Sequence, residues 1–234
     1  MVASHRERVQ HATREAIKAT ARRQMAQQGA AALSLRAIAA EMGLTAPALY
    51  RYYKNRDELV TTLIVDSFHA LGAALAAAGA ACVPGDYPGQ FVAMMAAYRD
   101  WALANRADFT LIYGTPLPDY HAPREITVPA VMRSTAPLLA LLVRAWREGQ
   151  LAPPPGDQLP ESLRQHFIGF ATEYLDEAMP PALLHVAIAG WAHLQGLIML
   201  ELFGHLEPTV GDPATFYALA VQGELARLGL RGPA

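Results

Sequence analysis

Apolar positions recur along almost the whole chain at spacings of three and four residues, the period of helices that bury one face. No alternating strand pattern of useful length and no internal repeat interrupts them. Several helix starts can be read from capping chemistry. Ser4 with Glu7 has the pattern of a capping box and predicts a first helix to about Gln28. Val9, Ala12, Ala16 and Ile17 give it an apolar face, and Gly29 ends it. Leu35, Ile38, Ala39 and Met42 form the stripe of a short helix that stops at Gly43, where glycine takes a left-handed turn at little cost. Leu44 is the apolar residue of the turn. Thr45 then has N-cap chemistry, and Pro47 fits the first turn of a third helix. That helix turns Leu49 and Tyr53 inward and leaves Ala46, Ala48, Arg51 and Tyr52 free.

Asn55 with Glu58 predicts another capped start, of a long helix through Leu59, Leu63, Phe68 and Leu71 toward Ala81. A proline- and glycine-rich break at 83–89 precedes helices over about 90–104 and 107–114. A proline-stiffened loop, 115–123, leads into a helix to about Gly149, with Pro129 and Pro137 expected to kink or break it. Ala152-Pro-Pro-Pro-Gly156 is a second strong break, and helices near 160–178, 181–204 and 213–229 complete the chain. The expected fold is all-α: an N-terminal three-helix helix-turn-helix domain, 1–60, and a larger helical domain, 61–234, for ligand binding and dimerisation.

Two short helices joined by a glycine turn can push the second into a DNA major groove. Charge supports this for residues 1–60, which hold ten basic and five acidic residues, a net +5, leaving −7 for the remainder. A basic end on an acidic chain is the footprint of a phosphate-binding module. An apolar content of 53% supplies a core, and a charged content of 17% argues against disorder. The single cysteine, Cys82, excludes an internal disulfide and suits the cytoplasm, and no secretory signal is visible. The longest apolar stretch, 182–203, is interrupted by His185, His193, Gln195 and Glu201. It reads as a buried helix and not a membrane span, so no membrane partner is expected.

The run Ser34-x-Arg36-x-Ile38-Ala39-x-x-x-Gly43-Leu44-Thr45-x-x-x-Leu49-Tyr50-x-x-Tyr53-x-Asn55-Arg56-x-x-Leu59 resembles the N-terminal domain of TetR-family transcriptional regulators. The likeness spans roughly residues 9–69. The remainder is similar to the ligand-binding and dimerisation domain of that family. Trp101 after Tyr98-Arg-Asp, Phe109 to Gly114, Tyr120 to Pro123 and Trp191-x-x-x-Gln195-Gly196 resemble a subclass named for a Trp-His-Gly signature. Here Gln195 stands where the histidine is expected, with His193 two residues earlier. The resemblance implies a ligand-responsive regulator, most often a repressor, released from a palindromic operator by a small molecule.

The expected DNA-binding residues are Ser34, Arg36, Thr45, Ala46, Pro47, Ala48, Tyr50, Arg51, Tyr52 and Arg56. Arg36 can take a phosphate or grip guanine O6 and N7. Thr45 to Ala48 form the tip of the recognition helix, where small residues let the backbone approach base edges. Tyr50 and Tyr52 suit phosphate hydrogen bonds, and Arg51 suits a base or phosphate. Arg56, at the positive end of its helix, suits a phosphate. Tyr53 reads as core and Lys54 as a solvated charge. The capping box puts Arg6 and Arg8 on a helix and not in a free arm.

No phosphate loop, nucleophile elbow or zinc-protease helix is present, so an enzyme carrying an accessory DNA-binding domain has little support, and no cofactor or metal is expected. Glu201 with His205 has metal-ligand spacing but reads as a helix-surface pair, and Glu173, Asp176 and Glu177 read as an acidic helix end. A DNA binder without an effector is the other alternative, and the aromatic, methionine-rich C-terminal region argues against it. That region offers Met94, Tyr98, Trp101, Tyr113, Trp146, Trp191, His193 and Gln195 as lining for an effector pocket. Leu183, Ile188, Leu194, Ile198 and Leu202 offer surface for a homodimer through the helices near 181–204 and 213–229.

Overall fold

The computed structural model describes residues 4–152, 159–175 and 179–230. These form α1 (His5–Gln28), a 3-10 turn (Ala30–Ala32), α2 (Leu35–Glu41), α3 (Ala46–Tyr50), α4 (Arg56–Ala80) and α5 (Tyr87–Ala104). They continue with α6 (Arg106–Tyr113), α7 (Arg124–Arg147), α8 (Glu161–Tyr174), α9 (Pro181–Leu202), α10 (Glu207–Val210) and α11 (Pro213–Leu228). Among the described residues the only β pairing is a single bridge between Leu151 and Leu230, so the fold is all-α. The break at 152–156 lies almost wholly outside the described residues, as do Asp176 and Glu177.

Local chemistry explains the boundaries. The Ser4 hydroxyl accepts from Glu7 N at 3.2 Å, and the Glu7 carboxylate accepts from Ser4 N at 2.7 Å, closing the box that starts α1. The Asn55 side chain accepts from Glu58 N at 2.8 Å, while Glu58 reaches Lys54 N at 2.7 Å. α5 begins three residues earlier than its apolar pattern suggests, because Asp86 accepts from Gly89 N at 3.0 Å and Pro88 is tolerated in a first turn. Pro129 and Pro137 do not break α7, which is continuous from Arg124 to Arg147. Packing along the helix overrides the local cost of two lost hydrogen bonds.

The chain divides into two compact units. The first combines Met1–Ala70 with Asn105–Val131, and the second Leu71–Ala104 with Met132–Ala234. A cut at residue 60 would leave α6 and the first turns of α7 outside the first unit. The first unit closes around Ile17, Leu35, Ile38, Leu49, Tyr53, Leu59 and Leu63, all essentially buried. Its stripe on α1 is Ile17, Ala21 and Met25, with Thr20 and Gln24. The expected face is corrected accordingly: Val9, Ala12 and Ala16 are exposed, because nothing in the unit covers the first turns of α1 on that side.

Buried polar pairs tie the elements of this unit together. Lys18 Nζ lies 2.5 Å from Asp66 of α4 and 2.8 Å from Glu15. Burial would lower the Lys18 pKa, but the hydrogen bonds it donates to Asp66 and Glu15 outweigh that and raise it. Arg22 Nε donates to both oxygens of Asp108 on α6 at 2.9 and 3.0 Å, and Ser67 Oγ donates to Asp108 at 2.8 Å. Arg23 pairs with Glu41 of α2 at 2.9 Å.

In the second unit α11 packs on α9 and α5, and α8 packs on α9. Leu141, Leu142, Leu183, Leu194 and Ile198 are its most enclosed large side chains. Inside it Arg99 of α5 bonds Glu201 of α9 through Nε at 2.8 Å and Nη2 at 2.5 Å. The Glu201 carboxylate, first noted for its spacing from His205, is thus held by an arginine, which keeps the Arg99 pKa above its ordinary value. α4 and α7 meet at Gly72, where a Cβ would lie 2.8 Å from Ser134 Cα and 3.2 Å from Arg133 O. By length and composition α4, α7 and α9 could each cross a membrane.

Candidate nucleic-acid interface

The motif begins where Ser34 caps α2, its hydroxyl accepting from Ala37 N at 3.4 Å. Leu35, Ile38 and Ala39 anchor that helix in the core, so Arg36 and Ala37 between them face solvent. Gly43, at φ +66°, turns the chain, and Thr45 caps α3 by accepting from Ala48 N at 3.4 Å. Leu49 and Tyr53 hold the recognition helix from beneath, at 0% and 1% exposure, and burial pushes the Tyr53 phenol pKa up.

This anchoring sets what α3 offers. Pro47, Tyr50 and Arg51 are exposed, while Ala46 and Ala48 are half-buried. The side chains of Arg36 and Arg51 form no hydrogen bond or ion pair with the described residues, in contrast to those of Lys18, Arg22 and Arg23 nearby. The other two residues of the expected set touch the protein itself. Tyr52 is half-buried and packs on the core of the unit. Arg56 is half-buried, and its Nη2 donates to Ala30 O at 3.4 Å and Ala31 O at 3.3 Å. Spacing could not reveal that bond, because the acceptors are carbonyls more than twenty residues away.

The expected pocket residues do not form one cluster. Tyr113 belongs to the first unit, edge-on to Phe68 at 5.8 Å and Phe109 at 5.2 Å between ring centres. In the second unit, Tyr98 OH donates to Gln195 Oε1 and accepts from Trp191 Nε1 at 3.3 Å, so these polar groups bond to one another. His193 Nδ1 lies 2.7 Å from Glu224 Oε1 on α11, which Arg227 also reaches at 3.0 Å. Met94 is buried against Gly79, and Trp101 and Trp146 are half-buried.

A cavity of about 220 Å³ lies elsewhere in this unit, walled by Met132, Ala136, Leu139, Ala140 and Val143 of α7 with Tyr174 and Leu175. The sequence carried a signal for it: those α7 residues recur at the spacing of one helix face. None of the eight expected lining residues is among its walls.

Most of the residues expected to offer surface for a homodimer are enclosed within the chain. Leu183, Leu194, Ile198 and Leu202 are buried within the chain, so of the expected residues only Ile188 remains on the surface. The large apolar side chains exposed on and beside α9 and α11 are Ile188, Trp191, Leu200, Phe203, Phe216 and Leu219.

Known proteins share both the motif and the larger domain. Residues 17–63 match the family described as bacterial regulatory proteins, tetR family, and residues 91–223 match the Tetracyclin repressor-like C-terminal domain. HTH-type transcriptional regulators of Mycobacterium tuberculosis and Mycobacterium bovis are 35% identical over 189 residues, covering 78% of this chain and 77% of theirs. The crystal structure of the protein SCO4313 superposes with a TM-score of 0.78 at 31% identity, over 95% of this chain and 100% of that one. SmeT, in a complex with triclosan, shares the fold at a TM-score of 0.59 and 19% identity, over 92% of this chain and 90% of its own. With its exposed recognition helix, its basic N-terminal unit and matches that cover both domains, the chain belongs to the TetR family of DNA-binding transcriptional regulators, which are not enzymes.

Proposed function

We propose that the protein is a homodimeric repressor that leaves a palindromic operator when a small apolar molecule binds its second unit. The observation that carries the DNA-binding face is the recognition helix itself: Leu49 and Tyr53 are sunk in the core while Pro47, Tyr50 and Arg51 project. Arg36, Arg51 and Tyr50, with the capped backbone at Ser34 and Thr45, then meet phosphates, and Ala46, Pro47 and Ala48 approach base edges. Tyr52 and Arg56 join the phosphate contacts from their half-buried positions. The dimer forms through α9 and α11, whose exposed apolar residues exceed what an isolated surface needs. Two-fold symmetry sets half-sites about one or more helical turns, roughly 34–36 Å, apart. Such a regulator works in the cytoplasm, beside the chromosome.

The cavity on α7 supports an effector of modest size, and the SmeT–triclosan complex supports an apolar one. The effector is then lined by the cavity's own walls, Met132, Ala136, Leu139, Ala140 and Val143 with Tyr174 and Leu175, in place of the residues expected from the sequence. α4 is one continuous helix that begins beside the recognition helix and runs into the second unit, so it is the element through which binding reaches the DNA. The experiment is to select an operator from a random duplex pool, then titrate it with Arg51→Ala and with candidate effectors. Arg51→Ala should weaken binding at least tenfold. Linkage requires the operator to weaken effector binding by the factor by which the effector weakens operator binding, about 5–150-fold for a typical coupling. Equal effector affinity with and without operator would refute the release model.

A further inference from the structure

One end of the recognition helix has almost no hydrogen-bonding chemistry. α3 is anchored by Leu49, which is fully buried. At about 100° per residue, Pro47 and Arg51 stand opposite that anchor, with Ala48 and Tyr50 on the two flanks. The exposures agree: Pro47, Tyr50 and Arg51 are exposed, and Ala46 and Ala48 are half-buried. In helix-turn-helix docking the N-terminal residues of the second helix are the ones that reach base edges. In this chain those residues are Ala46, Pro47 and Ala48.

None of the three side chains carries a donor or an acceptor. Pro47 has no N–H, and Ala48 N already donates to the Thr45 hydroxyl at 3.4 Å. That hydroxyl, the polar side-chain group at this end of α3, is thus engaged in capping its own helix. Arg36 belongs to α2, and Arg51 lies a full turn beyond Pro47. A base edge set against Pro47 and Ala48 therefore gives up water and gains no polar partner. The ring nitrogens, carbonyls and amino groups of adenine, guanine and cytosine lose by that exchange. The C5-methyl group of thymine is the apolar feature of a major groove, and it gains.

We propose that Pro47 and Ala48 read thymine through its C5-methyl group, so that each operator half-site carries thymine where it faces the N-terminal end of α3. The inference deepens the DNA-binding reading of the chain and rests on it. It divides the labour of the motif. Arg36, Tyr50 and Arg51 fix the protein on phosphates, which carry no sequence information, while the apolar end of α3 selects the base. Burying one methyl-sized group is worth about fourfold in affinity, so a symmetric pair of such contacts in a dimer is worth about sixteenfold.

The test starts from an operator selected by the full chain from a random duplex pool. Each thymine of the half-site is then replaced, in both halves at once, by deoxyuridine, which removes the methyl group and keeps every hydrogen-bonding group. At one or two positions the change should weaken binding about sixteenfold. The slope of log K against log salt should stay the same, because no phosphate contact is lost. At those positions the preference for thymine over uracil should shrink in Pro47→Ser and in Ala48→Gly. That preference is a ratio, so a general loosening of the motif, which weakens both duplexes alike, leaves it unmoved. Uracil tolerated at every position overturns the proposal, as does a preference that keeps its full size in both variants. In either case operator binding persists and the DNA-binding reading stands. If the unmodified chain selects no DNA at all, that reading falls and takes this inference with it.

Discussion

The two units differ most in what they leave uncovered. On the first, the exposed large apolar side chains are Val9, Tyr50 and Ile126, scattered over three different elements. On the second, Val83 and Ile168 are exposed elsewhere, but Ile188, Trp191, Leu200, Phe203, Phe216 and Leu219 gather on and beside α9 and α11. Their interiors differ too. The first unit threads Lys18–Asp66 and Arg22–Asp108–Ser67 between its helices, and the second relies on long runs of leucine with Arg99–Glu201 as a cross-tie. A surface meant for a charged polymer must stay polar, so its small domain is fixed by oriented ion pairs. The surface proposed for a second copy of the chain stays apolar, and its domain is fixed by bulk.

Substitution inside each unit tests that contrast most strongly. Leu183→Ala in the second unit should lower stability by about 3 kcal/mol, as fully buried leucines generally do. Asp108→Ala in the first should cost about as much, roughly 3 kcal/mol, by stranding Arg22 and Ser67. Urea denaturation followed by circular dichroism measures both. If Asp108→Ala proved nearly neutral, the first unit would be held by its apolar core alone. The surface difference comes next. Leu219→Asp should weaken the proposed dimer by about 2 kcal/mol, seen as monomer in sedimentation, with no comparable loss of fold.

The parts of this contrast that could be read from the chain are those governed by neighbours. The Ser4–Glu7 box, the Thr45 cap, the Gly43 turn and the inward pair Leu49 and Tyr53 depend on residues within one turn of each other. The α1 face could not be read so directly. Val9, Ala12 and Ala16 are as regular as Ile17, Ala21 and Met25, and which stripe is covered depends on where other helices end. α9 is apolar nearly all round, so periodicity does not choose its outer face, and the inward Leu194 and Ile198 look no different from the outward Leu200. Arg22 and Asp108 are separated by 86 residues, and no local pattern joins them.

Smaller effects sharpen the picture at helix ends. Ser34→Ala removes the α2 cap and should cost about 1 kcal/mol, with operator affinity falling in parallel as the motif frays. Asp212 caps α11, and its hydrogen bonds with Thr215 hold its carboxyl below the ordinary aspartate value of 3.8. A lowered pKa means that its contribution is present above that value and fades as pH falls through the lower folded one. Between pH 4 and 2 the unmodified chain should therefore lose slightly more thermal stability than Asp212→Asn, in parallel melts at each pH.

The crossing at Gly72 has a mechanical consequence. A side chain that crowds another side chain can be absorbed by a rotamer change, but here the added carbon would strike backbone at Ser134 and Arg133. α4 and α7 are also the two helices that pass unbroken from one unit into the other. Gly72 thus acts as the bearing surface between two shafts, with no compliant layer to take up a misfit. An alanine at that point cannot loosen the joint by degrees: the shafts must slide or roll to a new seat. An added carbon at Gly72 therefore changes the crossing of α4 and α7 itself, and not merely the packing of one side chain.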